Sequence, residues 1–198
     1  NKKFWDKFAK LYASFMKKDK GVYDKVCGYI NPYLSKDMNV LELACGSGQL
    51  SFNLSKYTKS WIATDFSKQM IFEARKHGEY ENLVFEIADA TSLIYTDEKF
   101  DCVVIANALH IMPEPDKAMK EIYRVLKPNR WITVEFHNSQ NAVWYAIQQA
   151  LALAGFIIAD VRVLDKQKGT IKQLINTTSV QQDLVISAYK PKDSFHRD

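Results

Sequence analysis

Glycines and carboxylates stand at the ends of apolar segments in the first half of the chain. An apolar run over 39–44 contains Glu42 and leads into a turn with Gly46 and Gly48. Glycines let a backbone turn sharply and approach a ligand without Cβ atoms in the way. The residues after the turn have a helical pattern, and a helix N-terminus presents N–H groups to polar or anionic ligands. The segment therefore predicts a nucleotide-type ligand site at the carboxyl end of a strand.

Two further acids follow apolar runs. Asp65 follows the run 61–64, and Asp89 follows the run 83–87. A carboxylate at the end of the second strand of such a fold can accept hydrogen bonds from both hydroxyls of a ribose. The competing interpretation of either acid is a cap for the turn or helix that follows. Glu42 differs from both because it lies inside a buried strand, where a carboxylate needs a partner such as a polar or cationic ligand.

The elements that must position these residues alternate between strands and helices. Near-continuous apolar runs predict parallel strands over 39–44, 61–64, 83–87, 100–106 and 131–136. Helical spacing of apolar residues predicts helices over 4–17, 22–34, 48–57, 68–77, 116–126 and 140–154. A turn is predicted over 127–129. The last two strands, 156–163 and 184–189, are joined by a polar stretch too short for a crossover helix, which predicts antiparallel pairing.

Length and composition narrow the class of protein. The chain has 198 residues, enough for one domain with a substantial core. No run reaches the about 20 apolar residues of a membrane span, and the N-terminal segment lacks a signal-peptide core. The formal net charge of +4 is too small to indicate nucleic-acid binding by itself. The cysteines form no CxxC pair, which predicts reduced thiols in the cytoplasm and no zinc site: Cys27, Cys45 and Cys102.

Five motifs in this order and spacing resemble the class I S-adenosylmethionine-dependent methyltransferases. They are the glycine motif over 42–48, the acid in 63–67, the segments 88–90 and 100–110, and the approach to strand five over 121–128. Phe4-Trp5-Asp6, with Ala9 and Tyr12, also resembles the helix that covers the cofactor in small-molecule members. The resemblance implies an α/β, Rossmann-like doubly wound sheet of seven strands, mostly parallel with an antiparallel C-terminal strand. It also implies one domain over 1–198, with N-terminal lid helices over 1–35, a core over 36–190 and a tail over 191–198.

The same resemblance implies S-adenosylmethionine as the cofactor. The cofactor-binding residues that it implies are Tyr12, Glu42, Ala44, Gly46, Gly48, Asp65, Phe66, Met70, Asp89, Ala90, Asn107 and Leu109. In this family pattern the backbone of Gly46 and Gly48 contacts the methionine part, and Asp65 binds the ribose. Asp89 accepts a hydrogen bond from the adenine amino group, and the next N–H meets a ring nitrogen. Glu42 orients the glycine turn and reaches toward the amino group of the cofactor, directly or through water.

The remaining implied contacts compete with ordinary core packing. Phe66 and Met70 would supply apolar faces for the adenine, but both also fit a plain core. Tyr12 would close over the cofactor from the N-terminal helix, although aromatic residues on an amphipathic face often serve packing. Asn107 and Leu109 follow strand four, where the sulfonium and the methyl acceptor meet in the resembled family.

Candidate proton acceptors lie at the ends of strands four and five. A base is needed only if the acceptor must lose a proton during attack. His110 follows strand four and is the first candidate, while His137, with Glu135, ends strand five and is the second. A lone histidine in a loop also fits a purely structural role. The predicted function is methyl transfer to a small-molecule acceptor, with no membrane partner and no predicted oligomeric state.

An NAD-binding oxidoreductase is the first alternative. Gly46-x-Gly48-x-x-Ser51 nearly matches the dinucleotide fingerprint, and Asp65 suits a ribose in either class of protein. Ser51 in place of the third glycine, and the lack of a second domain to hold a substrate, disfavour it. A noncatalytic module that binds the cofactor is a further alternative.

The C-terminal third supports a different alternative, a DNA amino-group methyltransferase. Segments from Trp131 onward, such as 135–139 and 182–191, resemble the tail of a bacterial DNA-methylase-like family. Such enzymes carry an Asp/Asn-Pro-Pro-aromatic motif after strand four, whereas this chain has Asn107-Ala108-Leu109-His110 there. The modest basic cluster consists of Lys166, Lys168 and Lys172 and also fits a solvated loop. Together with a rise in glutamine content, these segments suggest a hybrid of two origins.

Overall fold

Seven strands form one mixed sheet in the computed structural model, which describes residues 2–16, 20–138, 141–164 and 182–192. The strands are β1 (Asn39–Leu43), β2 (Ser60–Asp65), β3 (Leu83–Ile87), β4 (Phe100–Ala106), β5 (Leu126–Asn138), β6 (Ile157–Leu164) and β7 (Gln182–Tyr189). Their order across the sheet is β3-β2-β1-β4-β5-β7-β6. β1 to β5 pair in parallel, whereas β7 pairs antiparallel with β5 and with β6. The predicted α/β fold with an antiparallel C-terminal strand is confirmed.

Helices cover both faces of the sheet. Those of the described residues are α1 (Lys2–Met16), α2 (Lys20–Ile30), α3 (Gln49–Leu54), α4 (Lys68–Arg75), α5 (Pro115–Val125) and α6 (Asn141–Ala154). Successive side chains of a strand point to opposite faces. Leu41 and Leu43 of β1 therefore join the core formed with α5 and α6, while Val40 joins the core formed with α2, α3 and α4. Burial on both faces explains why the parallel strands have continuous rather than alternating apolar sequences.

The predicted turn before the fifth strand is wrong. β5 begins at Leu126, and Lys127-Pro128-Asn129 belongs to it as an irregular stretch in which Asn129 has a φ of +58°. The backbone N–H of Asn129 donates to the carbonyl of Lys190 at 2.7 Å, and the N–H of Lys190 donates to the carbonyl of Arg130 at 3.0 Å. Pairing with the chain beyond β7 thus holds these residues in the sheet, and local turn propensity could not reveal this long-range partner.

Some predictions fall on parts of the chain outside the described residues. These include the basic cluster Lys166, Lys168 and Lys172 and the tail from 193 onward. Within the described ranges, none of the helices has the length and apolar character needed to cross a membrane. The cysteines are free thiols in the structure.

The sheet order fixes the place of a ligand site. β1 lies between β2 and β4, so the connections from β1 and β4 leave the sheet in opposite directions. In open parallel sheets such a reversal creates a crevice at the carboxyl ends of the strands. The residues after β1, β2, β3 and β4 therefore meet at one edge, which is where the sequence motifs lie.

Candidate cofactor and active site

A cavity of about 430 Å³ opens at the carboxyl ends of β1, β2, β3 and β4. Its volume lies within the range of about 300–1,000 Å³ that is usual for small-molecule sites. Nine of the predicted cofactor residues line it: Tyr12, Ala44, Gly46, Asp65, Phe66, Met70, Asp89, Ala90 and Asn107. Glu42, Gly48, Leu109 and His110 are not among the lining residues. His137 lies in β5, and its side chain is outside the described part of the structure.

The turn after β1 brings backbone to the cavity wall. Ala44 and Gly46 have φ values of +53° and +56°, a left-handed conformation that is strained for alanine and readily adopted by glycine. A Cβ atom on Gly46 would lie 3.3 Å from the ring carbon Cε1 of Tyr12. Glycine at 46 therefore allows the aromatic ring of α1 to approach the turn closely.

Gly48 is not among the residues that line the cavity, and its contact with the cofactor stays a prediction. Gly48 is buried at the start of α3 with a φ of +88°. A Cβ atom there would lie 2.8 Å from Phe52 Cε2 and 2.9 Å from Phe85 Cζ. The second glycine of the motif is thus required by the packing of α3 on β3 and by its positive φ.

Asp65 ends β2 with its carboxylate at the cavity wall. Its Oδ2 accepts a hydrogen bond from the backbone N–H of Gly46 at 3.0 Å, and its Oδ1 accepts one from the N–H of Ser67 at 2.8 Å. Burial raises the pKa of Asp65, and the two backbone donors partly offset this effect. Each carboxylate oxygen has a second lone pair, so the same group can still accept hydrogen bonds from a ligand. Asp65 therefore joins the glycine turn to the start of α4.

Glu42 lies inside the buried strand β1, as predicted, and its carboxylate has partners within the protein. Its Oε2 accepts hydrogen bonds from Ser51 Oγ at 2.5 Å and from Trp61 Nε1 at 2.8 Å, and the residue is 2% exposed. Burial raises the pKa of Glu42 to about 7, and the two donors lower it in part. The carboxylate thus finds its partners in α3 and β2 rather than in the cavity. Its predicted roles, orienting the glycine turn and reaching toward the amino group of the cofactor, stay predictions.

The segment after β3 supplies a small polar and apolar wall. Asp89 Oδ1 accepts hydrogen bonds from the N–H of Thr91 at 2.9 Å and from its hydroxyl at 2.8 Å. Through Oδ1, Asp89 therefore caps the turn, which was the competing interpretation. The residue also lines the cavity. Ala90 lies beside it, and Met70 is buried at the same wall with half-buried Phe66.

The loop after β4 crosses the site in a strained conformation. Asn107 has a φ of +53°, and its backbone N–H donates to the carbonyl of Glu135 at 2.8 Å. Its exposed side chain belongs to the cavity. Leu109 begins a single 3-10 turn, and its side chain is buried in the core, which explains its absence from the cavity. His110 follows it and is half-buried, beside the lining residue Ile111.

Helix α1 lies beside the site. It packs against α4, and Ser67 Oγ donates to Asp6 Oδ1 at 2.6 Å. Trp5 and Tyr12 line the cavity, and the hydroxyl of Tyr12 hydrogen-bonds with that of Tyr23 in α2. Burial raises the pKa of Tyr12, which keeps its phenol neutral at physiological pH. Trp5 and Tyr12 of the N-terminal helix thus form part of the cavity wall beside the glycine turn, and a covering role of this helix stays a prediction.

A family model described as a methyltransferase domain matches residues 34–184, more than half of the chain. The chain belongs to this methyltransferase family. The resemblance to class I S-adenosylmethionine-dependent methyltransferases is thereby confirmed, and the family implies S-adenosylmethionine as the cofactor. The match runs across residue 131, and the hypothesis of a hybrid origin stays a prediction.

Two relatives of this methyltransferase are named for quinone biosynthesis. A ubiquinone/menaquinone biosynthesis C-methyltransferase, UbiE, of Rickettsia prowazekii (strain Madrid E) is 33% identical over 116 residues, which cover 53% of this chain and 47% of that protein. A demethylmenaquinone methyltransferase of Lactobacillus johnsonii is 42% identical over 96 residues, which cover 45% of this chain and 39% of that protein. The match therefore spans less than half the length of either relative. These relatives do not favour the oxidoreductase or DNA-methyltransferase alternatives.

The fold is shared with solved methyltransferase structures. A chain from the complex between the Haloferax volcanii Trm112 methyltransferase activator and a methyltransferase has a TM-score of 0.79 at 18% sequence identity. The alignment covers 94% of this chain and 97% of that chain. At this identity the likeness establishes the architecture of the methyltransferase, including the antiparallel C-terminal strands.

Several residues of the methyltransferase site were missed in the sequence. They lie on α1 and on the loop that leads from β4 to α5: Lys2, Trp5, Ile111, Met112, Pro113 and Glu114. Trp5 belongs to the motif that resembles a cofactor-covering helix, so its position next to Tyr12 was an available signal. The loop residues carry no motif, because their place depends on how far the chain extends before α5 begins.

Proposed function

We propose that this protein transfers a methyl group from S-adenosylmethionine to a small-molecule acceptor. The observation that carries the proposal is the cavity at the carboxyl ends of β1 to β4, where Asp65, Asp89 and Asn107 come together with the glycine turn. Three features suit this cofactor. They are a buried carboxylate for the two ribose hydroxyls, a polar edge for the adenine, and a turn whose backbone is accessible to the methionine chain.

The residues fit the cofactor in three parts. The ribose is assigned to Asp65, whose two oxygens keep lone pairs beside the bonds to Gly46 and Ser67. The adenine is assigned to the wall of Met70 and Asp89, where both bonds from Thr91 end on Oδ1 and Oδ2 is the oxygen assigned to the amino group. The methionine part is assigned to the backbone after β1.

The protein contributes to the reaction by positioning the reactants and by excluding water. The bound cofactor supplies an electrophilic methyl group on a sulfonium, which is displaced by the acceptor atom. Holding the acceptor in line with that methyl replaces a collision in solution by a positioned attack. Asn107 lines the cavity together with the loop residues Ile111 and Met112, and we assign the acceptor to this part of it.

The candidate proton acceptors lie after β4 and at the end of β5. His110 is the first candidate because it lies beside Ile111 in the loop after β4. Its half-buried side chain is not among the lining residues, so its role requires a small movement of this loop when an acceptor binds. His137 and Glu135 at the end of β5 are the second candidates, and the backbone of Glu135 already holds Asn107.

Transfer of a labelled methyl group tests the proposed function. The protein is incubated with S-adenosylmethionine carrying a labelled methyl, separately with demethylmenaquinone, with a small-metabolite extract and with DNA. We expect label in the quinone or in the extract, because two relatives are named for methylation in quinone biosynthesis. If DNA were labelled and small molecules were not, the methyl acceptor would be a nucleic acid, and the proposed small-molecule acceptor would be refuted. The absence of label in every fraction, with cofactor binding intact, would favour the noncatalytic module.

The thiol state of the cysteines supports one further assignment. Cys45 and Cys102 are buried free thiols close to the glycine turn and in β4, and burial raises their pKa values. Inert, reduced thiols suit a reducing compartment, and we propose a cytoplasmic location on this ground.

A further inference from the structure

The outward face of α1 carries an exposed apolar stripe. Phe4, Phe8 and Leu11 are 46%, 37% and 55% exposed. They are four and three positions apart, so they lie along one face of the helix. The ring centroids of Phe4 and Phe8 are 4.6 Å apart, which joins them into one surface. The opposite face carries Ala9 and Ala13, which are buried. The helix is therefore apolar on two separate faces, and packing on the fold explains the buried one.

A row of lysines borders this stripe. Lys3, Lys7 and Lys10 precede its three members by one position each, and all three are exposed. Asp6 is the acidic residue of α1. Its Oδ1 accepts a hydrogen bond from Ser67 Oγ at 2.6 Å, which holds Asp6 against the start of α4, away from the stripe. The exposed edge of the stripe therefore carries the positive charge of three lysines.

We propose that α1 docks this protein on the surface of a bilayer that contains anionic phospholipids. Helices that lie in the plane of a membrane combine Phe, Trp or Leu on one face with Lys or Arg beside it. The apolar stripe would enter the boundary between headgroups and acyl chains, and the lysine row would meet the anionic headgroups. A second copy of the same face is disfavoured because the two lysine rows would repel each other. The proposal does not depend on methyl transfer.

Ring contacts connect this docking face with the mouth of the cavity. Phe4 meets Trp5 edge to face with centroids 5.3 Å apart, and Trp5 meets Tyr12 in the same way at 5.7 Å. Trp5 and Tyr12 both line the cavity, whose rim also carries the exposed Ile111. A bilayer bound at Phe4 would therefore lie one aromatic ring away from Trp5, which belongs to the cavity wall.

Cosedimentation with vesicles tests the docking. The full chain is mixed with vesicles of phosphatidylglycerol and phosphatidylcholine in equal parts, and separately with phosphatidylcholine vesicles. Each lysine near an anionic surface strengthens binding by about fivefold, so the combined variant Lys3→Gln, Lys7→Gln and Lys10→Gln should bind about 100-fold more weakly. Wild-type binding should also fall steeply as salt is added.

A second variant separates the apolar stripe from the charge. The combined change of Phe4→Gln, Phe8→Gln and Leu11→Gln should lose most binding while it keeps every lysine. The matched control is Phe72→Gln on α4, because Phe72 is 58% exposed and has Lys76 Nζ 4.6 Å from its ring centroid but lies outside the stripe. Cofactor titration and thermal unfolding should match the wild type for all three variants, which shows that the fold is intact.

Three results would overturn the proposal. The first is wild-type protein that stays in solution with anionic vesicles. The second is equal vesicle binding by the wild type and both combined variants, since another surface would then be responsible. The third is a wild-type dimer in solution, in the absence of lipid, that the apolar-stripe variant abolishes, which would identify a second copy as the occupant of this face.

Discussion

The substitution Asp65→Asn tests the proposed ribose site with little change in shape. A carboxylate that accepts hydrogen bonds from hydroxyls contributes about 1.5–3 kcal/mol, and the neutral amide loses most of this. Affinity for S-adenosylmethionine should therefore fall about 10- to 150-fold. The amide retains one oxygen for the backbone N–H of Gly46 or Ser67, so we expect a loss of about 1–3 kcal/mol in unfolding free energy. Calorimetric titration and urea unfolding without cofactor measure the two effects separately.

A second buried aspartate provides the matched control. Asp101 at the start of β4 accepts the backbone N–H of Asn39 at 3.0 Å and Lys127 Nζ at 2.9 Å, at the edge of the sheet opposite the cavity. Asp101→Asn should destabilise the fold by a similar amount and leave the cofactor affinity of the folded protein unchanged. If Asp65→Asn bound the cofactor as tightly as Asp101→Asn, the assignment of the ribose to Asp65 would be refuted.

Three more substitutions test the supporting parts of the site. Because burial raises the pKa of Glu42 from 4.5 to about 7, the folded state holds its proton more tightly, and unfolding free energy should fall by about 3 kcal/mol as pH rises through this window. Glu42→Gln should flatten that slope in urea unfolding at several pH values, and an unchanged slope would refute the assignment. Gly48→Ala should cost about 2–4 kcal/mol in unfolding free energy, from its positive φ and the contact with Phe52, whereas Gly28→Ala, with open space around it, should not destabilise. His110→Gln should lower kcat by about 100-fold or more and change the pH–rate profile, and a wild-type profile would exclude His110 as the base.

The parallel strands and the edge of the sheet that holds the site could be predicted because each rests on local sequence signals. Buried parallel strands have continuous apolar sequences, and the residues that end them must meet at one edge of the sheet. Asp65 and Asp89 were singled out in this way, and Asn107 by the resemblance to the methyltransferase family. The antiparallel pair at the end of the sheet followed from the length of the connection between its strands.

The turn predicted over 127–129 was wrong, and three of the implied cofactor residues have structural surroundings that local sequence does not reveal. Glu42 was assigned to the cofactor through the family resemblance. Its hydrogen bond from Trp61 depends on the register between β1 and β2, and the motif carries no information on that register. Gly48 was assigned to the ligand through the family resemblance. The lack of space for a Cβ atom beside Phe85 depends on how α3 packs on β3, which the local sequence does not show. Leu109 was assigned to the reaction centre because it follows strand four. In the structure it begins a single 3-10 turn, and its side chain is buried in the core. The single-domain division with lid helices over 1–35 stays a prediction.

We expect the cavity of this methyltransferase to bind S-adenosylmethionine. The most direct test of this binding is calorimetric titration of the wild-type protein with S-adenosylmethionine and, in a parallel experiment, with NAD. We predict saturable binding of S-adenosylmethionine with one molecule per chain, and no heat of binding for NAD. Saturable binding of NAD with none of S-adenosylmethionine would contradict the account and return the glycine turn to a dinucleotide-binding function.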